Sequence, residues 1–444
     1  MITLVRARLA HTPRNPFEQD DALEVFDDGA LAFADDGRIL AAGAFEHVRA
    51  AHSGARVEDA CGAFLVPGFV DTHVHWPQLG VVGAMGLELM EWLRARALPE
   101  EARLADISYA RPLARDFVRG LAANGTTSAL VFGSHFPEAQ DAFFEEADAS
   151  GLRIASGLVV SDRDLVPELR GDPGHALEAG RALAARWHRH GRLRYAVTPR
   201  FSISCSEDML ESCGALQAEL DGALVTSHIN ESENEVGAVA DRFPWAGDYL
   251  ETYEQYGLVG PRTVFAHDVH VTDGELDRLA AARAGIANCP ISNAFLGSGI
   301  FPMRRHLEHG VRFGLGTDVG AGTGLSLLKE ALASYQAQMV ASQRVRLTPA
   351  HLLWLVTLAG AEILGLDDVV GDLTPGKAAD YVLLRPPPGG TLAATLARSR
   401  DARDALGAMF ALAREESVFE VRVAGKRVWP RDEPAGHQEL HSRP

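Results

Sequence analysis

The sequence predicts an α/β chain, a distorted (β/α)8 TIM barrel with a small β-sandwich domain built from both chain ends. Three observations predict it. Between about residues 66 and 369, eight apolar strand candidates alternate with amphipathic helical patterns, the rhythm of parallel strands joined by crossover helices. The flanks on either side are instead rich in short strands and turns. Five of the eight strand candidates end in polar, ligand-type residues, and a barrel keeps its site at the C-terminal ends of its strands. An open doubly wound sheet would want a glycine-rich phosphate turn after its first strand, and none is present.

The elements follow in order. Residues 1–65 alternate and turn, with Asp27-Asp28-Gly29 and Asp35-Asp36-Gly37 as hairpin signals. The barrel, 66–369, takes its strands from Ala63–His73, Thr126–Phe132, Arg153–Val160, Arg194–Thr198, Ala223–His228, Thr263–His267, Gly285–Cys289 and Val311–Thr317. Helical patterns at Tyr109–Ala123, His175–His188, Gly274–Ala284 and Leu325–Val340 separate them. In 370–444, strands are expected at Asp380–Arg385 and Val418–Val428, the latter turning at Ala424-Gly425, with a helical stretch between. The two ends are expected to pair into one small β domain, because open strand edges need partners.

Composition narrows the function. With 47 % hydrophobic and 23 % charged residues over 444 positions, the chain is globular. A net charge of −18 disfavours nucleic acid, whose phosphates need a dense cationic face. The opening run carries Arg6 and Arg8, so it reads as a strand rather than a secretory leader. The apolar stretch Leu352–Ala361 is far short of the ~20 residues that cross a bilayer. Four cysteines without CxxC spacing read as free thiols. A cytoplasmic protein with no membrane partner is expected.

The strand ends carry the chemistry. His73 and His75, two apart on one strand, present both rings to one face, the barrel interior. His228 and Asp318, at the ends of the fifth and eighth strands, supply two further ligands. Three imidazoles and a carboxylate suit Zn²⁺. Glu231, three residues past His228, is placed to carry a proton to or from a metal-activated water and a departing nitrogen. His267 can hydrogen-bond the water or a developing oxyanion. Glu233 and Glu235 read as solvated loop carboxylates. His306-Leu307-Glu308 and His437-Gln438-Glu439 mimic the HxE of another zinc fold but lack its PCxxC. His188, His190, His309 and His351 read as surface or packing residues. The glycines between Gly314 and Gly324 read as room for a ligand to approach.

Several segments resemble guanine deaminases of the amidohydrolase superfamily. These are Pro67-Gly68-Phe69-Val70-Asp71-Thr72-His73-Val74-His75-Trp76-Pro77-Gln78, Thr198-Pro199-Arg200-Phe201-Ser202, Ser227-His228-Ile229-Asn230-Glu231, Asn288-Cys289-Pro290-Ile291-Ser292-Asn293 and Gly314-Leu315-Gly316-Thr317-Asp318-Val319. The PGFxDTHxH run marks only the superfamily, whereas Pro77-Gln78 with TPRF is much more specific to guanine deaminases. The resemblance implies one zinc per chain on His73, His75, His228 and Asp318, and proton transfer by Glu231 with His267 and Asp318 beside it. It implies purine contacts from Gln78, Arg200 and Phe201, and a homodimer. Many relatives bridge two metals with a modified lysine, and no lysine stands near a strand end here, since Lys329, Lys377 and Lys426 are the only ones.

The expected reaction adds water at C2 of guanine and releases xanthine and ammonia. The chain departs from the family pattern at Arg96-Ala97-Leu98-Pro99, at Ser161-Asp162-Arg163-Asp164 and at Asn230. These loop positions keep two alternatives open: deamination of another aminoheterocycle such as a pterin, and zinc hydrolysis of a cyclic amide or halo-triazine. A barrel kept only as a binding scaffold is the non-enzyme alternative, and the intact ligand set with Glu231 speaks against it.

Overall fold

The computed structural model describes residues 1–430; His437-Gln438-Glu439 and the end of the 370–444 segment lie outside the described residues. The first strands are β1 (Ile2–His11), β2 (Glu24–Ala34), β3 (Ile39–Ala44) and β4 (Arg56–Pro67). The next are β5 (Phe69–His75), β6 (Thr126–Phe132), β7 (Arg153–Ser156), β8 (Val159–Val160) and β9 (Arg194–Pro199). After them come β10 (Leu224–Ile229), β11 (Thr263–His267), β12 (Gly285–Asn288) and β13 (Arg312–Leu315). The last are β14 (Tyr381–Leu384), β15 (Val418–Val423) and β16 (Lys426–Trp429).

Two sheets result. The first, in the order β16-β15-β14-β4-β1-β2-β3, interleaves strands from both chain ends, as the edge argument anticipates. One of its faces buries Val5, Leu9, Leu31, Phe33, Leu65, Tyr381 and Leu383. The other packs Leu4, Ala30 and Ala32 against Val48 of the short helix Phe45–Ala51. Such alternation is what a period of two requires.

The second sheet runs β5-β6-β7-β9-β10-β11-β12-β13, every neighbouring pair parallel, with β8 adding to β9. Just beyond β13 the chain returns to β5. Asp318 N–H donates to His73 O at 2.9 Å and His75 N–H donates to Val319 O at 3.0 Å. These bonds join the first and last strands at their C-terminal ends, so eight parallel strands form a nearly closed barrel.

Two strand expectations need correction. Ala63–His73 is two strands in two sheets: β4 ends at Pro67 and β5 begins at Phe69. The chain changes sheets at Gly68, where a Cβ would lie 2.1 Å from Thr127 Oγ1. An unbroken apolar run carries no mark of which sheet each half joins. Arg153–Val160 likewise divides at Gly157-Leu158 into β7 and β8. The apolar stretch Leu352–Ala361 becomes parts of two short helices, Pro349–Leu355 and Leu358–Leu364. Among the described residues, no helix is long and apolar enough to cross a membrane.

Helix Leu358–Leu364 lies tightly against β5. A Cβ on Gly360 would stand 2.9 Å from both Val70 Cβ and Cγ1. Gly54, by contrast, has nothing within 4 Å of its own hypothetical Cβ. Overpacking a closed interface costs about 1–3 kcal/mol. Gly360→Ala should therefore lower unfolding free energy in urea by that amount, while Gly54→Ala should leave it within about 0.5 kcal/mol.

Candidate metal centre

β5 sets His73 and His75 on the inner face of the barrel, and both are buried. β10 brings His228 across, and the turn after β13 adds Asp318. His75 Nε2 lies 3.0 Å from His73 Nε2 and 3.2 Å from His228 Nε2. Asp318 Oδ1 lies 3.4 Å from His73 Nε2 and 3.2 Å from His75 Nε2. One ligand atom from each of the four residues falls within 4.8 Å of all the others. Ligands about 2.0–2.2 Å from a tetrahedral centre stand roughly 3.3–3.6 Å from one another, so this set fits a divalent ion.

The tautomers agree with that fit. His228 Nδ1–H donates to the Arg200 carbonyl at 2.6 Å, which leaves its Nε2 lone pair facing the other rings. Burial keeps all three imidazoles neutral: His73 is lowered, His75 is lowered to about 3, and His228 lies well below the usual range. Burial opposes the Asp318 carboxylate, yet the neighbouring imidazoles of His73 and His75 hold it well below its ordinary value. Neutral imidazoles and an ionised carboxylate are the forms that bind metal.

Beside this set stand His267 and Glu231. His267 Nδ1 lies 2.9 Å from Asn293 Oδ1, and its Nε2 lies 3.5 Å from Glu231 Oε2 and 3.9 Å from Asp318 Oδ2. Ser298 Oγ–H donates to Glu231 Oε1 at 3.3 Å. Burial first, then the nearby Glu235 and Asp318 charges, push the Glu231 carboxyl well above its ordinary value. Asn230, His267 and Asp318 all have positive φ, at 51°, 77° and 46°. Backbone so sparsely populated by side-chain-bearing residues persists only where surroundings hold it. Asn230 is an apt residue there, and its Nδ2–H₂ donates to Asp268 at 3.0 Å and Glu275 at 3.1 Å.

The ligand set opens onto a cavity of about 390 Å³. Leu89, Trp92, Leu93, Phe201, Leu296 and Ala321 supply apolar walls, and Gln78, Arg200, Glu231 and His267 the polar ones. Every residue anticipated for metal or substrate thus borders this space except His73, whose Nε2 lies against His75 Nε2 within the four-residue cluster. None of Arg96 to Pro99 and none of Ser161 to Asp164 lines it, whereas Trp92 and Leu93 just before the first departure do.

Two readings change, and two further residues take buried structural places. Glu235 is buried rather than solvated: it accepts the backbone N–H of Glu231 at 3.0 Å and the hydroxyl of Tyr249 at 2.6 Å. The signal was present, because Ser232 and Glu235 form a capping box, which turns the glutamate back toward the chain. Within the glycine run, Gly316 serves close packing rather than ligand approach: a Cβ there would stand 2.9 Å from His73 N, O and Cβ, whereas one on Gly324 would meet nothing within 4 Å. Glu101, which no motif marks, contacts both Gln78 and Arg200 from helix Leu98–Ala102. His306, set aside as a decoy, is fully buried and pairs with Asp268 at 2.9 Å.

A parallel eight-stranded barrel with three histidines and an aspartate at its strand ends defines a metal-dependent hydrolase type of site. The Amidohydrolase family pattern matches residues 64–428, and the chain belongs to that family. A probable guanine deaminase of Deinococcus radiodurans is 54 % identical, covering 97 % of this chain and 100 % of its own length. Guanine deaminase of Escherichia coli is 37 % identical, with 96 % of each chain covered. Its solved structure superposes with a TM-score of 0.92 over 97 % of this chain and 100 % of that one. The guanine deaminase structure from Bradyrhizobium japonicum, 33 % identical, gives 0.91 over 97 % and 99 %.

The contact at Gly316 makes ligand geometry sensitive to a methyl group. Gly316→Ala should move the chain after β13 away from β5 and weaken metal affinity about 10–100-fold, the usual effect of disturbing ligand support. Competition against a chromophoric chelator measures it, with circular dichroism expected to stay native.

Proposed function

We propose that this chain is a zinc-dependent hydrolase that converts guanine and water to xanthine and ammonia. The observation that carries the reading is one cavity joining a three-histidine, one-aspartate set to the donors Gln78 and Arg200, in a chain whose full-length relatives are guanine deaminases. His73, His75, His228 and Asp318 would hold one zinc per chain. When bound, the metal supplies a Lewis acid that brings a water's pKa toward neutrality.

The remaining work falls to side chains. The guanine ring lies in the apolar cleft with Phe201 against its face. Arg200 and Gln78 carry N–H donors suited to the C6 carbonyl and ring nitrogens. Water oxygen bonds to C2, and the bond from C2 to the exocyclic nitrogen breaks. Glu231 accepts the water proton and delivers it to that nitrogen, which leaves as ammonia. Its raised pKa suits a carboxyl that must hold a proton between the two transfers. Asp318 orients the water, and His267, between Glu231 and Asp318, hydrogen-bonds the oxygen that gains charge. The four cysteines are free, consistent with a cytoplasmic setting, and the family resemblance supports a homodimer.

Ammonia release from guanine by the zinc-loaded protein tests the reading; no release would refute it. Glu231→Gln should keep the metal and lower kcat about 10²–10⁴-fold, the usual worth of a positioned acid–base group. A variant within a few-fold of the parent would remove Glu231 from the reaction. Metal analysis should give one zinc per chain, and two equivalents both needed for turnover would exclude the mononuclear centre.

A further inference from the structure

We propose that Glu101 is a positioning and specificity-determining residue: it orients Gln78 and cancels the charge of Arg200, so that the cavity accepts a neutral oxopurine and disfavours an anionic one. The inference rests on the guanine reading above.

All three side chains are buried, Gln78 and Arg200 at 2 % exposure and Glu101 at 3 %. Gln78 Nε2 donates to Glu101 Oε1 at 2.7 Å, and Arg200 Nη1 donates to Glu101 Oε2 at 2.5 Å. Gly320 N–H donates to Gln78 Oε1 at 3.1 Å. An amide can ordinarily turn over, because its two ends have similar shape. Here it cannot: a carboxylate only accepts and a backbone N–H only donates, so both ends of Gln78 are assigned. Glu101 thereby decides that Gln78 keeps its NH₂ on the side shared with Arg200.

The second consequence is electrostatic. A buried guanidinium without a partner would recruit an anion. Glu101 supplies that negative charge from within the protein. The other neighbour, His135, has Nδ1 3.5 Å from Glu101 Oε2, and burial followed by the Arg200 charge keeps this imidazole neutral. The Arg200–Glu101 pair therefore shows the cavity hydrogen-bond donors without net charge. An anionic ligand at Arg200 would stand against Glu101 as well. Xanthine, with a ring N–H between two carbonyls, is more acidic than guanine. Its anion is disfavoured at this position, which assists product departure.

The experiment uses the zinc-loaded protein and two variants, at a pH where xanthine is ionised. Guanine kcat and KM are measured with the xanthine inhibition constant. The parent is assayed first; failure to deaminate guanine refutes the functional reading, whereas the variant-to-parent ratios address Glu101 alone. Glu101→Gln leaves one acceptor oxygen for two donors and removes the charge. It should raise guanine KM at least tenfold, keep kcat within about fivefold and the metal content unchanged, and tighten xanthine inhibition at least tenfold. Glu101→Asp keeps the charge but is one methylene short. It should raise guanine KM without tightening xanthine, and it decides the matter where Glu101→Gln fails to fold. The proposal is overturned by an unchanged guanine KM in either variant, by guanine and xanthine weakening together in Glu101→Gln, or by loss of zinc.

Discussion

The seam between the first and last barrel strands is the constraint on which the site depends. Asp71 on β5 accepts Thr317 N–H at 3.0 Å and Thr317 Oγ1–H at 2.6 Å. Two backbone bonds continue the seam one step further, Asp318 to His73 and His75 to Val319. The same few residues therefore close the barrel and set a carboxylate against two imidazoles. Burial raises Asp71 to about 7 despite its hydrogen bonds from Thr317. This carboxyl sits fully buried where its acceptors serve the chain, and removing it would leave a buried backbone N–H unpaired.

Charge is arranged in graded fashion around that seam. Asp318 is held ionised by the imidazoles, while Glu231 and Glu235, a few residues along from His228, are pushed upward first of all by burial. Glu330, also buried, is raised well above its ordinary value although Ile291 N–H donates to it at 3.1 Å. These buried carboxyls thus shift in opposite directions: the imidazoles around Asp318 outweigh its burial, whereas burial dominates at Glu231, Glu235 and Glu330. Under the proposed reaction, that separation suits Asp318 to hold the metal and Glu231 to carry the proton.

Much of this was legible in the sequence, for identifiable reasons. Thr126–Phe132 and Thr263–His267 coincide with β6 and β11 because turn residues and amphipathic helices bound them on both sides. His73, His75, His228 and Asp318 were legible because a period of two and a place at strand ends are local properties. The transition at Gly68 was not, since the contact that requires glycine comes from Thr127, 59 positions away. Glu235 could have been found from its capping box. Glu101 could not, because its partners lie 23 and 99 positions off and its five-residue helix carries no pattern of its own.

The contrast between Glu101 and the metal ligands has a physical root. A ligand set needs particular atoms aimed at one point, and a β-strand aims side chains by its period, so the requirement is written along the chain. Balancing a buried cation needs only one carboxylate at the right distance, delivered from any element that passes by. Here a short helix delivers it, after the π-helical turn Leu93–Ala97, while the neighbouring Glu100 is used quite differently, pairing with Arg103 and Tyr109. Two adjacent glutamates, identical as sequence, therefore serve different partners: Glu100 pairs with Arg103 and Tyr109, and Glu101 determines which charge the cavity presents to its ligand.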